Sequence, residues 1–532
     1  MKNIFLFVAL SFLIHLGVNA QMQSDKVHLT WGEDQPISRK IVFDDIIGSD
    51  ESGIYILKRV LKGSSPLLIE QYSAQMALQK SVPVRIGKNK EQREFQYGVQ
   101  INGQILLFTT KLDKKTKTNL LFAQTIDKKT LKPSSKLIKV GIIDYSDRSK
   151  KTSGSFTYKI SSDEKRILIY YNLPYQKGEN EKFSYHIFDS ELNLLWEKSI
   201  SLPYKNELFK VVDYEITKAG DLFLLSQIFK EKTKAKLNGK PNYRYQITSY
   251  TSRVEEVKEY PIILKDQFLT DMKIALNDNG EIICGGFYSN NGTFSIKGSY
   301  FLKINLESKN IVSKSFKEFG LDFITQNMTD KEKRKTTKRE AIGKDVELYQ
   351  YDLNDLVLRE DGGAILVGEQ YFVRVATYND SQGSIKTTYH YYYNDIIVIS
   401  INAAGQIDWA EKIAKRQHTI NDEGLYSSYS LALVDDKLNF IFNDNIKNLV
   451  ASKITAGKGK GVIYDFTRNA KSSLAVLVQV DSDGRQVKEA LFNIRDAELL
   501  IRPKVSNQIS NNELVIYSQK RKMERFGKIT FK

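Results

Sequence analysis

The chain has 532 residues, 41% of them hydrophobic, one cysteine (Cys284) and a formal net charge of +16. A single thiol closes no internal disulfide, so a large hydrophobic core must hold the fold. The charge favours acidic partners such as anionic glycans, lipid head groups or acidic proteins, and says nothing of the fold itself.

Lys2 opens an apolar run from Ile4 to Leu16, and Val18 and Ala20 stand at the −3 and −1 positions before Gln21. This pattern predicts a secretory signal peptide over residues 1–20, cut after Ala20. Its apolar core is too short to span a bilayer, and no later stretch approaches the ~18 apolar residues a span needs. No cysteine follows the run, so no lipid anchor is expected at that site. The protein is therefore expected to be exported, to the periplasm, the outer membrane or the extracellular space, a setting that argues against nucleic acid as a partner.

From residue 21 to 532 the sequence reads as short strands rich in Ile, Val, Leu, Phe and Tyr, punctuated by Asn, Asp and Gly. That spacing predicts an all-β repeat fold, a single β-propeller domain. Turn signals recur before apolar strands: Asn102-Gly103, Ala219-Gly220, Asn279-Gly280 and Asp361-Gly362-Gly363. Glycine there supplies the positive φ of a tight hairpin turn. Four-stranded blades are expected at about 41–88, 95–140, 155–204, 210–264, 268–319, 348–417 and 427–494. In the third, the strands should run Phe156–Ile160, Arg166–Tyr171, Phe183–Asp189 and Leu194–Leu202. After residue 498 only three strands follow. Val27–Trp31 resembles the outer strands around Trp196 and Trp409, so it should complete the last blade and close the ring. This gives eight blades, or seven if two of these segments merge. Cys284, in an apolar strand, reads as a small buried hydrophobe.

In a propeller, the loops after the second and fourth strands of each blade share one face, and here several are long and basic. The fourth blade contributes Lys230, Lys232, Lys234, Lys236, Lys240 and Arg244. The seventh contributes Lys447, Lys453, Lys458, Lys460, Arg468 and Lys471 around Gly457, Gly459 and Gly461. The last contributes Lys520-Arg521-Lys522, with Arg525 nearby. A charged insertion at about 320–347 opens with Thr329-Asp330-Lys331-Glu332, a capping box, and continues through Arg334 and Lys335, predicting a short exposed helix. The sixth-blade hairpin carries Tyr371, Phe372 and Tyr378, then Tyr389, His390, Tyr391, Tyr392 and Tyr393. Alternation puts Tyr389, Tyr391 and Tyr393 on one side, as a stacking surface for a sugar or protein or as cross-strand packing.

Inner strands should line the central channel with Asp44, Asp45, Tyr97, Tyr158, Asp213, Asp271, Asp352 and Tyr429. Such carboxylates could bind a cation or serve glycoside chemistry, or be polar because the channel is wet. No metal or cofactor is expected: His28, His186, His390 and His418 are scattered, Asp481-Ser482-Asp483-Gly484 lacks the further acids of a calcium loop, and no nucleophile elbow or phosphate loop occurs.

The stretch Leu358-Arg359-Glu360-Asp361-Gly362-Gly363-Ala364-Ile365-Leu366-Val367, the Tyr-rich hairpin and Asn394-Asp395-Ile396-Ile397-Val398 through Asp408-Trp409 resemble uncharacterised exported propeller-like proteins of Gram-negative bacteria. The resemblance implies an envelope location and no activity. More loosely, the chain resembles eight-bladed quinoprotein dehydrogenases, without their vicinal cysteines, and the propeller scaffold of outer-membrane assembly, without its lipid-anchor cysteine. The expected function is non-enzymatic binding or scaffolding of an acidic envelope protein or glycan through the basic face. The alternative is a glycosidase or lyase acting on polysaccharide through Asp271 and Asp352.

Overall fold

A computed structural model describes residues 26–532 apart from 62–65, 88–90, 148–151, 233–234, 253–256, 263–266, 278, 309, 450–462, 469–471, 493–499 and 521. The expected signal peptide, Lys234 and most of the glycine- and lysine-rich loop of the seventh repeat lie outside the described residues. The chain is all-β, built of antiparallel sheets in sequence order with the character of a β-propeller.

Why the strands pack face to face is visible in the third sheet (Ser155–Ile160, Arg166–Asn172, Asn180–Asp189, Leu194–Lys205). Its second strand is apolar at every interior position. Ile167, Ile169 and Tyr171 enter the core shared with the second sheet, while Leu168 and Tyr170 enter the core shared with the fourth. A strand buried on both faces must be continuously apolar. The outer strand instead alternates exposed and half-buried residues, because it meets solvent. The same order of inner, second, third and outer strand recurs in the first (41–84), second (94–144), fourth (209–262), fifth (268–318), sixth (351–413) and seventh (430–492) sheets.

The last sheet draws on both ends of the chain. Leu500–Ile501 and Asn507–Ser510 pair with Glu513–Lys520, which pairs with Met523–Phe531. Val27–Trp31 then pairs with Met523–Phe531 in antiparallel register, Val27 opposite Phe531 and Trp31 opposite Gly527. A Cβ on Gly527 would lie 2.6 Å from the Trp31 ring, so only glycine lets the indole lie flat there.

Inner strands of neighbouring sheets touch in succession. Gln100 donates to the Ser49 carbonyl at 3.0 Å. Tyr97 stacks on Tyr158 with centroids 4.0 Å apart, and Lys159 pairs with Glu215 at 2.6 Å. The inner strands of the fourth and fifth sheets pack side by side. The Leu353 N–H donates to Asp271, and the Tyr429 hydroxyl donates to Asp355. Gln508 donates to the Leu433 carbonyl, and Asn507 to the Ile46 carbonyl.

The turns between the first and second strands of each sheet, which share one face, are short. Ile101 faces Gln104 across Asn102 (φ 45°) and Gly103 (φ 71°), a two-residue turn of the expected kind. The insertion after the fifth sheet is helical, with α1 over Leu321–Thr325 and α2 over Asp330–Ala341. The capping box forms in both directions: the Thr329 side chain accepts from the Glu332 N–H, and the Glu332 carboxylate accepts from the Thr329 N–H. Trp31, Trp196 and Trp409 all stand on outer strands.

Candidate functional site

The inner strands of the first, second, fourth, fifth and sixth sheets each carry a β-bulge. The residue just past it is Asp45, Tyr97, Asp213, Asp271 and Asp355 respectively. A bulge adds one residue and re-aims the side chains beside it. The counterpart of Asp271 in the sixth sheet is thus Asp355, and Asp352 sits three residues earlier, opposite Glu369. Asp45, Asp213 and Asp271 each accept the N–H of the following residue at 2.8–2.9 Å. Asp271 spends its second oxygen on the Leu353 N–H at 2.8 Å. It is a brace between two sheets, and burial raises its pKa against the pull of those two donors.

On the face opposite the short turns, a chamber of about 410 Å³ opens between the sixth, seventh and eighth sheets. Asp352, Asp355, Glu369, Ser428, Tyr429 and Lys504 line it, with Tyr371 and Tyr393 packed against each other as one wall. Its floor is a charged network that sequence reading missed. Lys415, fully buried, pairs with Glu369 at 2.6 Å and donates to the Tyr393 carbonyl and Gln417 Oε1. The Ser428 hydroxyl donates to the other Glu369 oxygen at 2.7 Å, and its N–H to Gln417 Oε1. Gln417 in turn donates to the Asn443 carbonyl of the seventh sheet. This lattice holds Ser428 at φ 72°, a left-handed conformation that costs a non-glycine residue on the order of 1–2 kcal/mol. Protein crowding and the negative charges of Asp271 and Glu369 push Asp352, at the rim, up to about 6. Burial lowers the Lys504 pKa; its amine donates to the Glu423 carbonyl and the Tyr393 hydroxyl.

The predicted basic residues fare differently in space. Lys232 pairs with Glu207 at 2.9 Å on the edge of a second depression of about 710 Å³, between the third and fourth sheets. Lys236 lies over the Phe268 ring and donates to the Asn291 carbonyl. Arg244 donates to Gln246 and to the Tyr204 hydroxyl, over whose ring it lies. Arg334 donates to the Asp330 carbonyl of its own helix, and Lys335 is exposed beside it. Helix α2 has no buried residue and carries six basic against three acidic side chains. At the tail of the eighth sheet, Lys520 already faces Met523 in the ladder, which leaves two residues between the paired ones and not the expected long loop.

The sixth-sheet hairpin is far longer than its neighbours, Ala364–Asn379 against Ile385–Ile401. Val373, Val375, Ile385 and Tyr389 are exposed near its tip, Val375 by 60% and Ile385 by 75%. Tyr391 is half-buried, and Tyr393 is buried at the base, where Gly424 and Lys504 press on its ring. The opposite side stacks Phe372 on Tyr392, Tyr392 on His418, and Arg374 over both Phe372 and Tyr392. His418 belongs to an added strand, Gln417–Ile420, and its Nε2 lies 3.0 Å from His390 Nδ1.

Among the described residues, no group of three or more His, Cys, Asp or Glu could hold a metal ion, and no helix is long and apolar enough to cross a membrane. Cys284 is buried, which pushes its thiol pKa up. No family model matches the chain, and no curated protein matches its sequence. Among solved structures it is similar to the β-propeller domain of the Trilobed protease from Pyrococcus furiosus, at 9% identity over 86% of this chain and 98% of that one, with a TM-score of 0.33. It is also similar to a member of the DUF4221 family from Bacteroides vulgatus, at 12% identity over 77% and 92% of the two chains (TM-score 0.28). An α-L-arabinanase from Penicillium chrysogenum is 9% identical over 54% and 98% (TM-score 0.28). Likeness at this level carries no argument about activity.

Proposed function

We propose that this protein is an exported, non-enzymatic binding propeller of eight blades, closed by its N-terminal strand, that holds an acidic protein or glycan of the cell envelope on its loop-bearing face. Eight blades are supported by the succession of inner-strand contacts, which returns from Asn507 to Ile46. Closure is supported by the pairing of Val27–Trp31 with the last strand, which leaves no edge open there. Export rests on the residue pattern of the first 20 positions.

One observation carries the binding reading: the chamber, the larger depression, the long hairpin and helix α2 all rise from the same face, opposite the short turns between the first and second strands of each sheet. Binding sites concentrate on loops positioned by a rigid scaffold. Within that face helix α2 carries six basic against three acidic side chains, whereas Lys232 is neutralised by Glu207. The alternative in which Asp271 and Asp352 act on polysaccharide finds Asp271 committed to two backbone donors.

The test is affinity capture of the tagged protein from native envelopes after mild cross-linking. A stoichiometric partner is expected, and the triple reversal Lys333→Glu, Lys335→Glu, Lys338→Glu should reduce its retention at least tenfold. Recovery of the protein alone, or retention unchanged by that reversal, would overturn the reading.

A further inference from the structure

The larger depression holds a feature that partner capture does not require. It lies between the third and fourth sheets, under the 173–179 connection, and reaches the 206–208 turn and Lys232. Its floor includes Glu181, in the third strand of the third sheet. The ladder to the outer strand breaks there: Asn180 faces Lys205, but Lys182 faces Ser201. Glu181 has no place in the register, and the irregularity turns its carboxyl into the depression.

Among the described residues Glu181 makes no hydrogen bond or ion pair. The two other acids of the depression are engaged: Glu207 pairs with Lys232, and Glu179 accepts the Gln176 N–H. Burial holds the Glu181 carboxyl up to about 7, so near neutral pH it carries a proton much of the time. A half-buried carboxyl with no protein partner is costly and calls for one from outside. Lys182 stands beside it, exposed and without an ion pair among the described residues, and Lys177 adds a second charge at the wall. Asparagine side chains at 172, 180 and 206 offer amide donors and acceptors, and Tyr175, 45% exposed, offers a ring face. Amides around an aromatic ledge suit sugar hydroxyls and the apolar face of a pyranose. The volume suits a short oligosaccharide.

We infer that this depression binds an acidic saccharide, a uronate-containing oligomer whose carboxylate is held between the Glu181 carboxyl and the Lys182 amine. Neutral Glu181 donates its proton to a ligand oxygen, and Lys182 supplies the countercharge. The Glu181 charge reaches Tyr170, whose pKa it helps burial to raise, with Lys182 beside it and Lys177, Glu179, Glu207 and Lys232 around the rim. Binding therefore weakens as pH rises through the range where Glu181 ionises, because two carboxylates then face each other. The inference goes beyond the partner-binding reading and rests on a different part of the face.

The experiment is titration calorimetry of the purified mature protein with trimers of galacturonate, glucuronate and mannuronate, each beside its methyl ester. At least one uronate trimer should bind, with its ester at least tenfold weaker. Lys182→Glu should lower that affinity at least tenfold. Glu181→Gln should keep binding at pH 6 but remove most of the weakening between pH 6 and 8. No binding by any of the three trimers, equal binding of acid and ester, or an unchanged Lys182→Glu variant would overturn the inference. A stoichiometric envelope partner recovered alongside any of those results would leave the partner-binding reading standing.

Discussion

Lys415 and Glu369 show what a single position does here. Both are buried, at 0% and 2% side-chain exposure; Lys415 bonds to three strands of the sixth sheet, and Glu369 also accepts from Ser428, just before the seventh. Burial lowers the Lys415 pKa while Glu369 opposes the shift. Removing one partner strands the other charge, so Lys415→Met should destabilise the protein by about 3–5 kcal/mol, whereas Lys415→Met with Glu369→Leu should recover most of that loss. Urea unfolding of the two variants checks this, and equal losses in both would contradict the account. Gly527→Ala should likewise lower the unfolding midpoint, since its methyl would strike the Trp31 ring. None of these contacts was legible in the sequence. Lys415 lies 46 positions from Glu369, and the Arg416-Gln417-His418 that follow it read as an exposed polar run. Glu181 drew no notice for a related reason: bulges leave no mark in residue spacing. Asp352 was aligned with Asp271 on the same blind spot, one bulge out of register with Asp355.

At the scale of elements the sequence was far more informative. The four strands expected in the third sheet match the observed ones within a few residues, because two-sided burial writes an unbroken apolar run and the polar turns Ser161–Lys165 and Ser190–Asn193 separate the strands. Helix α2 was legible from its capping box. The tyrosine hairpin was foreseen, but not the added strand that brings His418 to His390, since nothing in residues 417–420 marks a pairing with residues 390–393. That contact makes the hairpin sensitive to acid. Desolvation first, and then the His390 charge, lower the His418 pKa, with Asp422 and Asp465 opposing. A base whose folded pKa is depressed takes up its proton more readily when unfolded, so its stability contribution holds above the unfolded value of about 6.5 and is lost as pH falls below it. Hydrogen-exchange protection in residues 385–393 and 417–420 should drop between pH 7.5 and 5.5, and His418→Asn should flatten that change. Protection independent of pH in the native protein would refute the coupling.

Among the described residues, hydrophobic clusters lie between neighbouring sheets around the molecule, so each sheet is stabilised by the next. The junction between the last sheet and the first carries a buried charged group as well. Lys58 pairs with Glu70 at 2.8 Å and with Glu524 at 2.7 Å, and Tyr517 donates to Glu524. Gln35 continues the N-terminal segment onto this cluster by donating to Tyr72. Deleting residues 26–36 should therefore lower the thermal midpoint markedly and expose the 523–531 strand to exchange. A midpoint within a degree of the full chain would show that the segment is dispensable.

The pairing of Val27–Trp31 with Met523–Phe531 also sets an order in time. Val27–Trp31 docks on a strand that lies nearly 500 residues further along the chain, so it must wait while the residues between are synthesised, roughly half a minute to a minute and a half at typical elongation rates of 5–20 residues per second. Throughout that interval its apolar face has no mate, and the seventh sheet lacks the ring of Trp31 that finally packs on Phe492. Until Met523–Phe531 has emerged from the ribosome, Val27–Trp31 is a bare edge that any other extended segment could pair with.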